Sequence, residues 1–304
     1  MLIFQQMAVL FVLMLIGFIC YKKRMITEMG GKALSSIVSD IANPAMILYA
    51  GMGSGAKLQR SELAFTLVIA FAMFGALILI SYLVPVVLRA ERKSRGIYHV
   101  MTAFSNIGFM GFPIISAIYG PEGLLYASLF TVPYNILIYT YGIREIKNSD
   151  APKEKFRLVK LLNPGVVACI LSMVIYLLNV QMPEIVLIST QYLSNLTSPL
   201  SMIVIGASIA TINLRKLFLD VRLIIFSVIK LIAIPIGAYL IIKQVVSSEM
   251  LRGVCLIMLA TPVGSMTAVL ANQYDGDSET ATKGVALTTL LSVATIPLVS
   301  ALLT

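Results

Sequence analysis

Phe104-Ser105-Asn106-Ile107-Gly108-Phe109-Met110-Gly111-Phe112-Pro113 sets two glycines, an asparagine and a proline in the middle of an apolar run. Ala260-Thr261-Pro262-Val263-Gly264-Ser265-Met266-Thr267 does the same later in the chain. Proline removes a backbone donor and clashes with the preceding turn. Glycine weakens a helix by about 1 kcal/mol relative to alanine. Both stretches therefore read as helices broken in mid-course.

The surroundings decide where such breaks lie. Of 304 residues, 59% are hydrophobic and only 12% charged, against about 45–50% and about 25% in a soluble domain. That excludes a soluble globular protein, a disordered chain and a water-filled barrel. It leaves an all-α polytopic membrane protein. Ten stretches are long enough to cross a bilayer, which takes about 20 apolar residues. They are 2–20, 34–52, 63–88, 97–119, 123–143, 163–180, 188–211, 222–243, 251–273 and 283–303, here spans 1 to 10. Met1–Cys20 lacks a basic leader region and a small-residue cleavage site, so it reads as a retained span.

The net charge of +9 is an orientation signal and implies no nucleic-acid partner. Loops after odd-numbered spans carry eighteen Lys and Arg, the opposite loops four, and Lys230 falls inside span 8. Positive charge stays in the cytoplasm during insertion. The split places a multi-pass chain in the cell inner or plasma membrane with both termini extracellular or periplasmic.

The two halves echo each other at an offset of 155–158: Asn43-Pro44 with Ser198-Pro199, Glu62 with Asp220, Arg95-Gly96 with Arg252-Gly253, and Glu122 with Glu279. Each half holds five spans, so the second is inserted upside down. The expected division is a first repeat at 1–146, a cytoplasmic basic linker at 147–162 lying against anionic lipid, and a second repeat at 163–304. Inverted repeats with Gly/Pro-interrupted spans in matching places point to a carrier's binding site. Freed backbone at membrane depth is tolerated only inside protein or along a water-filled cavity. A half-helix N-terminus there offers N–H donors and partial positive charge, which favours an anion, above all a carboxylate. Asn106, Ser105, Ser265, Thr261 and Thr267 supply neutral hydrogen-bonding groups beside it.

Asn106-x-x-x-Met110-Gly111-x-Pro113 in span 4 resembles the crossover of the auxin efflux carrier family, as does Pro262-x-Gly264 followed by Val269-x-Ala271-x-x-Tyr274 in span 9. The resemblance runs over essentially the whole chain. It implies two inverted five-helix repeats related to bile-acid-symporter and sodium/proton-antiporter folds. It implies a scaffold of spans 1, 2, 6 and 7, a mobile transport domain of spans 3–5 and 8–10, and a homodimer through the scaffold. Crossing helices 4 and 9 would hold the substrate, with Pro113 and Pro262 as crossover prolines. Asn106 takes the place of the carboxylate-binding asparagine and Ser265 a substrate-facing place. Ser105, Gly108, Gly264 and Asn43 complete the candidate binding set. Plant members carry a proline where this chain has Ser105, so Gly108 and Pro113 are expected to do the breaking in span 4. The short central loop resembles that of bacterial-type members. The implied substrate is a small carboxylate such as malate, malonate or an auxin-like acid, moved by elevator-type alternation.

Ionisable residues inside spans are costly and are functional candidates. Asp40 lies one turn before Asn43-Pro44 and is a candidate for sodium or proton coupling, as is Lys230, whose long stem also suits snorkelling to the cytoplasmic side. His99 reads as an interfacial residue. Asp275, Asp277 and Glu279 lack EF-hand spacing, and Asp277-Ser278 reads as a helix start. Cys20, Cys169 and Cys255 have no metal-like spacing, so no metal site or cofactor is expected. There is no HExxH, no GxSxG and no GxxxxGK[ST], which argues against an enzyme and against ATP-driven transport. The rival readings are an ion-coupled symporter or antiporter of another solute, and a membrane ligand sensor that moves nothing.

Overall fold

A computed structural model describes residues 2–53, 60–147, 163–211 and 217–301. Apart from Lys147, the basic linker lies outside these residues, as do Lys57, Arg215 and Lys216. The described residues are helical throughout, save for turns and one isolated backbone bridge. Among the described residues five helices are long and apolar enough to cross a membrane: Glu28–Met52, Ser61–Val87, Glu184–Ala210, Val221–Val245 and Ser278–Ser300. The remaining apolar stretches form shorter or segmented helices. This is a multi-pass membrane protein. Val68, Leu79, Val87, Ile185, Leu240 and Ile241 stand on its outer faces, apolar side chains that match lipid.

Side chains at the turns start many of these helices. Thr27, Asn163, Asp220, Ser248 and Asp277 each accept a first-turn N–H. Pro164 follows Asn163 at the first helical position, where its missing N–H costs nothing. Expected spans 2, 8 and 10 start as helices a few residues before their apolar limits, because the caps Thr27, Asp220 and Asp277 lie in the polar flanks. Within Phe112–Leu129 the chain kinks at Gly120, whose φ of +63° suits a residue without a side chain, and Pro121 restarts the helix.

Two groups of helices pack tightly within themselves. In the first, Leu2–Lys22 lies along Glu184–Ala210, and 43–53 packs on both Glu184–Ala210 and Pro164–Leu177. Glycine sets the spacing. A Cβ at Gly17 would strike the carbonyl of Ile203, and one at Gly206 the carbonyl of Met14. Gly51 faces Ser172, whose hydroxyl donates to the Ile47 carbonyl at 2.8 Å. Small residues that admit backbone to backbone are a main source of helix association where lipid replaces water. The second group combines Arg60–Ser81, the segments from 95 to 146, and the helices from 221 to 300.

A leucine at Gly206 would force Leu2–Lys22 away from Glu184–Ala210. Gly206→Leu is expected to cost on the order of 1–3 kcal/mol, read as a lower thermal unfolding midpoint in detergent. Gly75→Ala, with no atom within 4 Å of its new Cβ, is expected to stay within about 1 kcal/mol of the parent.

Candidate functional site

The helix Arg95–Ala103 ends where Phe104 turns extended, with φ −114° and ψ 105°. Glu249–Ala260 ends in the same way at Thr261, with φ −65° and ψ 148°. The two extended stretches then run antiparallel past each other. The Asn106 N–H donates to the Pro262 carbonyl at 2.7 Å, and the Gly264 N–H donates to the Phe104 carbonyl at 2.9 Å. Beyond the crossing the chain coils again, as Ile107–Gly111 leading into Phe112–Leu129, and as Ser265–Gln273. Phe104 is held from behind by Tyr134 and Phe74, with ring centroids 5.5 and 6.1 Å away.

Gly108 and Pro113 do not make the break. Gly108 sits within the π-helical turn Ile107–Gly111, and Pro113 lies in the first turn of the helix after it, where its lost donor is absorbed. The chain opens at Phe104–Asn106 because a partner strand is there to take its backbone groups. Pro113 is thus not at the crossing, whereas Pro262 is.

Asn106 is the hinge residue of the site. Its Oδ1 accepts the Phe109 N–H at 3.1 Å, capping the new helix. An N–H is accepted only by oxygen, so the side-chain amide orientation is fixed. Nδ2 then carries two donors that no described residue takes. Asn106, Phe109 and Ser265 line a cavity of about 650 Å³, which reaches Tyr21, Glu28 and Lys32 at the first turn of the chain. The Lys32 ammonium pairs with Glu28 there at 3.0 Å. Ser265 opens Ser265–Gln273 with no side-chain cap, because Gly264 before it has none to give. First-turn N–H groups have no partner within a helix. Two helix starts and the Asn106 amide therefore share one cavity.

The other expected residues fall elsewhere. Asn43 is buried against the backbone of Gly108, with its Oδ1 unpartnered, and is not part of the cavity wall. Ser105 is turned towards Lys230. Lys230 does not snorkel: it is 0% exposed, buried beside the crossing. Asp40 is exposed and accepts from the Ser39 hydroxyl at 2.9 Å, outside the cavity. His99 is not merely interfacial, since its Nδ1 lies 2.6 Å from Glu145, with both side chains largely buried. The sequence offered no signal for that pair, because the partners are 46 residues apart. Among the described residues no group of three His, Cys, Asp or Glu is placed to hold a metal.

A family model described as a membrane transport protein matches residues 2–300. The chain belongs to that family. This is the auxin efflux carrier family, so the likeness of the two crossover motifs holds. Among the family's curated members, an uncharacterized transporter of Methanocaldococcus jannaschii is 27% identical over 297 residues, covering 95% of each chain. An uncharacterized transporter of Methanothermobacter thermautotrophicus is 25% identical over 302 residues, covering 96% of this chain and 95% of the relative. The auxin efflux carrier family is a family of transporters, not of enzymes.

In this family member a second polar cluster closes the ends of the helices away from the crossing. Asp277 accepts from the Ser94 hydroxyl at 2.5 Å and from the Thr280 N–H and hydroxyl at 3.1 and 2.7 Å. Burial alone would raise its carboxyl pKa, but these hydrogen bonds outweigh burial and hold it below the ordinary 3.8. A depressed carboxyl stabilises the fold above its unfolded value and loses that contribution as pH falls through the folded one. Thermal stability is therefore expected to drop as pH falls below about 4. Asp277→Asn should be less stable at neutral pH and show a flatter decline, as a pH series of unfolding midpoints would reveal.

Proposed function

We propose that this chain is a secondary carrier of a small organic anion, working by elevator-type alternating access. The observation that carries the reading is the shared cavity: the free Asn106 amide and two half-helix N-termini face one space of about 650 Å³. A carboxylate fits those donors. One oxygen accepts from Asn106 Nδ2 while the dipole at Ser265 favours the negative charge. Lys32, among the residues lining the cavity, is already paired with Glu28, which leaves the neutral donors at Asn106 and Ser265 to a substrate that must leave as readily as it enters.

The packing supports the division into moving parts. Spans 1, 2, 6 and 7 correspond to the first tightly packed group and act as scaffold; spans 3–5 and 8–10 correspond to the second and act as the transport domain. Ten spans in two inverted five-helix repeats suit the crossing as well. An offset of 158 relates the residues of the crossing: Ser105 lies opposite Val263, and the Asn106-to-Pro262 and Gly264-to-Phe104 bonds interchange under it. The cavity leads to the positively charged first turn, so by the charge rule it opens to the cytoplasm and both termini lie outside. The exposed apolar faces of Leu2–Lys22 and Pro164–Leu177, with Val12 and Ile170 among them, suit a homodimer through the scaffold.

Asn106→Asp keeps an oxygen for the Phe109 N–H and places a negative charge where the substrate carboxylate binds. We expect the variant to fold and to lose affinity for a carboxylate substrate at least tenfold, or about 1.4 kcal/mol. A thermal-shift screen of small mono- and dicarboxylates finds the ligand, and counterflow in proteoliposomes measures its movement. Equal affinity in parent and variant would remove Asn106 from the site. Binding without counterflow would make the protein a sensor.

A further inference from the structure

Breaking a helix leaves carbonyls without donors, and the two breaks are closed in different ways. In an unbroken helix the Thr102 carbonyl would accept the N–H of Asn106. That N–H instead donates to Pro262. The vacated Thr102 carbonyl accepts from Lys230 Nζ at 3.0 Å, and the same nitrogen donates to Ser105 Oγ at 2.7 Å. Lys230 reaches this point from the π-helical turn Ile229–Ala233. Among the described residues it enters no ion pair. In the second break Pro262 has no N–H for the Met258 carbonyl, which is taken by the Thr261 hydroxyl at 2.8 Å. The Val263 N–H there donates to Thr288 Oγ1 at 3.1 Å. Neutral hydroxyls close one break; an amine closes the other.

The difference has an electrostatic meaning. The C-terminal end of a helix carries partial negative charge. Half-helix C-termini and unwound carbonyls are the groups with which broken-helix carriers coordinate sodium. At the end of Arg95–Ala103 a carbonyl and a hydroxyl converge on one nitrogen that is 0% exposed, and that nitrogen is tethered to the protein.

We propose that Lys230 is a resident cation, its ammonium occupying the place at the broken end of Arg95–Ala103 that a bound alkali cation would otherwise take. It is a positioning residue: it fixes Thr102–Ser105 and so aims Asn106 at the cavity. The proposal deepens the carrier reading above and rests on it for its functional meaning. It follows that the fold completes its crossing without sodium or potassium, and that removing the lysine side chain leaves a vacancy suited to a small primary ammonium ion.

The test needs no substrate, so it fails or succeeds independently of the anion carrier reading. Thermal unfolding of the purified protein is compared at pH 6 in sodium, potassium, methylammonium and tetramethylammonium chloride at equal ionic strength. The parent should show no specific preference for sodium or potassium. Lys230→Ala should unfold at a lower temperature, and methylammonium, which can donate to Thr102 and Ser105, should restore part of the loss. Tetramethylammonium, which has no N–H, should not. Lys230→Met separates loss of charge from loss of volume: it should also be less stable, with no methylammonium response because the space is filled. An alanine variant as stable as the parent, or one that responds equally to both ammonium ions, overturns the proposal. So does specific stabilisation of the parent by sodium or potassium, a comparison that decides the matter even if neither variant folds.

Discussion

Two backbone hydrogen bonds between Phe104–Asn106 and Pro262–Gly264 are the constraint around which this protein is arranged. A backbone donor or acceptor left unpaired at membrane depth costs several kcal/mol. A chain that breaks two helices there must therefore find partners for every freed group. Each break supplies part of what the other lacks, and Thr288, Thr261 and Lys230 supply more. The rings of Phe104, Tyr134 and Phe74 exclude lipid and water from behind. Only after this accounting do the restarted helices have a defined direction, and the cavity between them a defined lining.

Much of the architecture was legible because its signals are local. The apolar runs, the polar caps at Asp220 and Asp277, and the paired interruptions at 104–113 and 260–267 can each be read within a few residues. The place of the break in the first interruption was not. Gly108 and Pro113 are the stronger helix breakers by composition, yet a π-helical turn and a helix start accommodate them. Phe104 and Ser105 open because residues more than 150 positions away offer hydrogen bonds. Partner choice is a long-range property, which also hid the Lys230–Ser105 and His99–Glu145 contacts. Asp40 illustrates the reverse error. It lies close to Asn43 along the helix, but its carboxylate is exposed and takes a bond from neighbouring Ser39.

The crossing has near-symmetric backbone bonds but unlike surroundings. Asn106 caps the helix that follows it, whereas Gly264 leaves the corresponding helix start uncapped. The crossing thus brings two helix starts together, while side chains make one an orienting amide and the other a start with no side-chain cap. A ligand in the cavity meets a polarised environment with two distinguishable ends. That distinction is a property of individual residues and not of the backbone bonds at the crossing.

The close approach of Gly17 and Gly206 to the opposing backbones sets the order in which the protein can be made. Leu2–Lys22 leaves the ribosome well before Glu184–Ala210, the surface it fits. At about 5–20 residues per second, roughly ten to forty seconds pass before that surface exists. During that interval Leu2–Lys22 has lipid around it, and the notch at Gly17 is unfilled. Final docking of Leu2–Lys22 is therefore a late, post-insertion event, so biogenesis depends on keeping an incomplete bundle from pairing with the wrong neighbour.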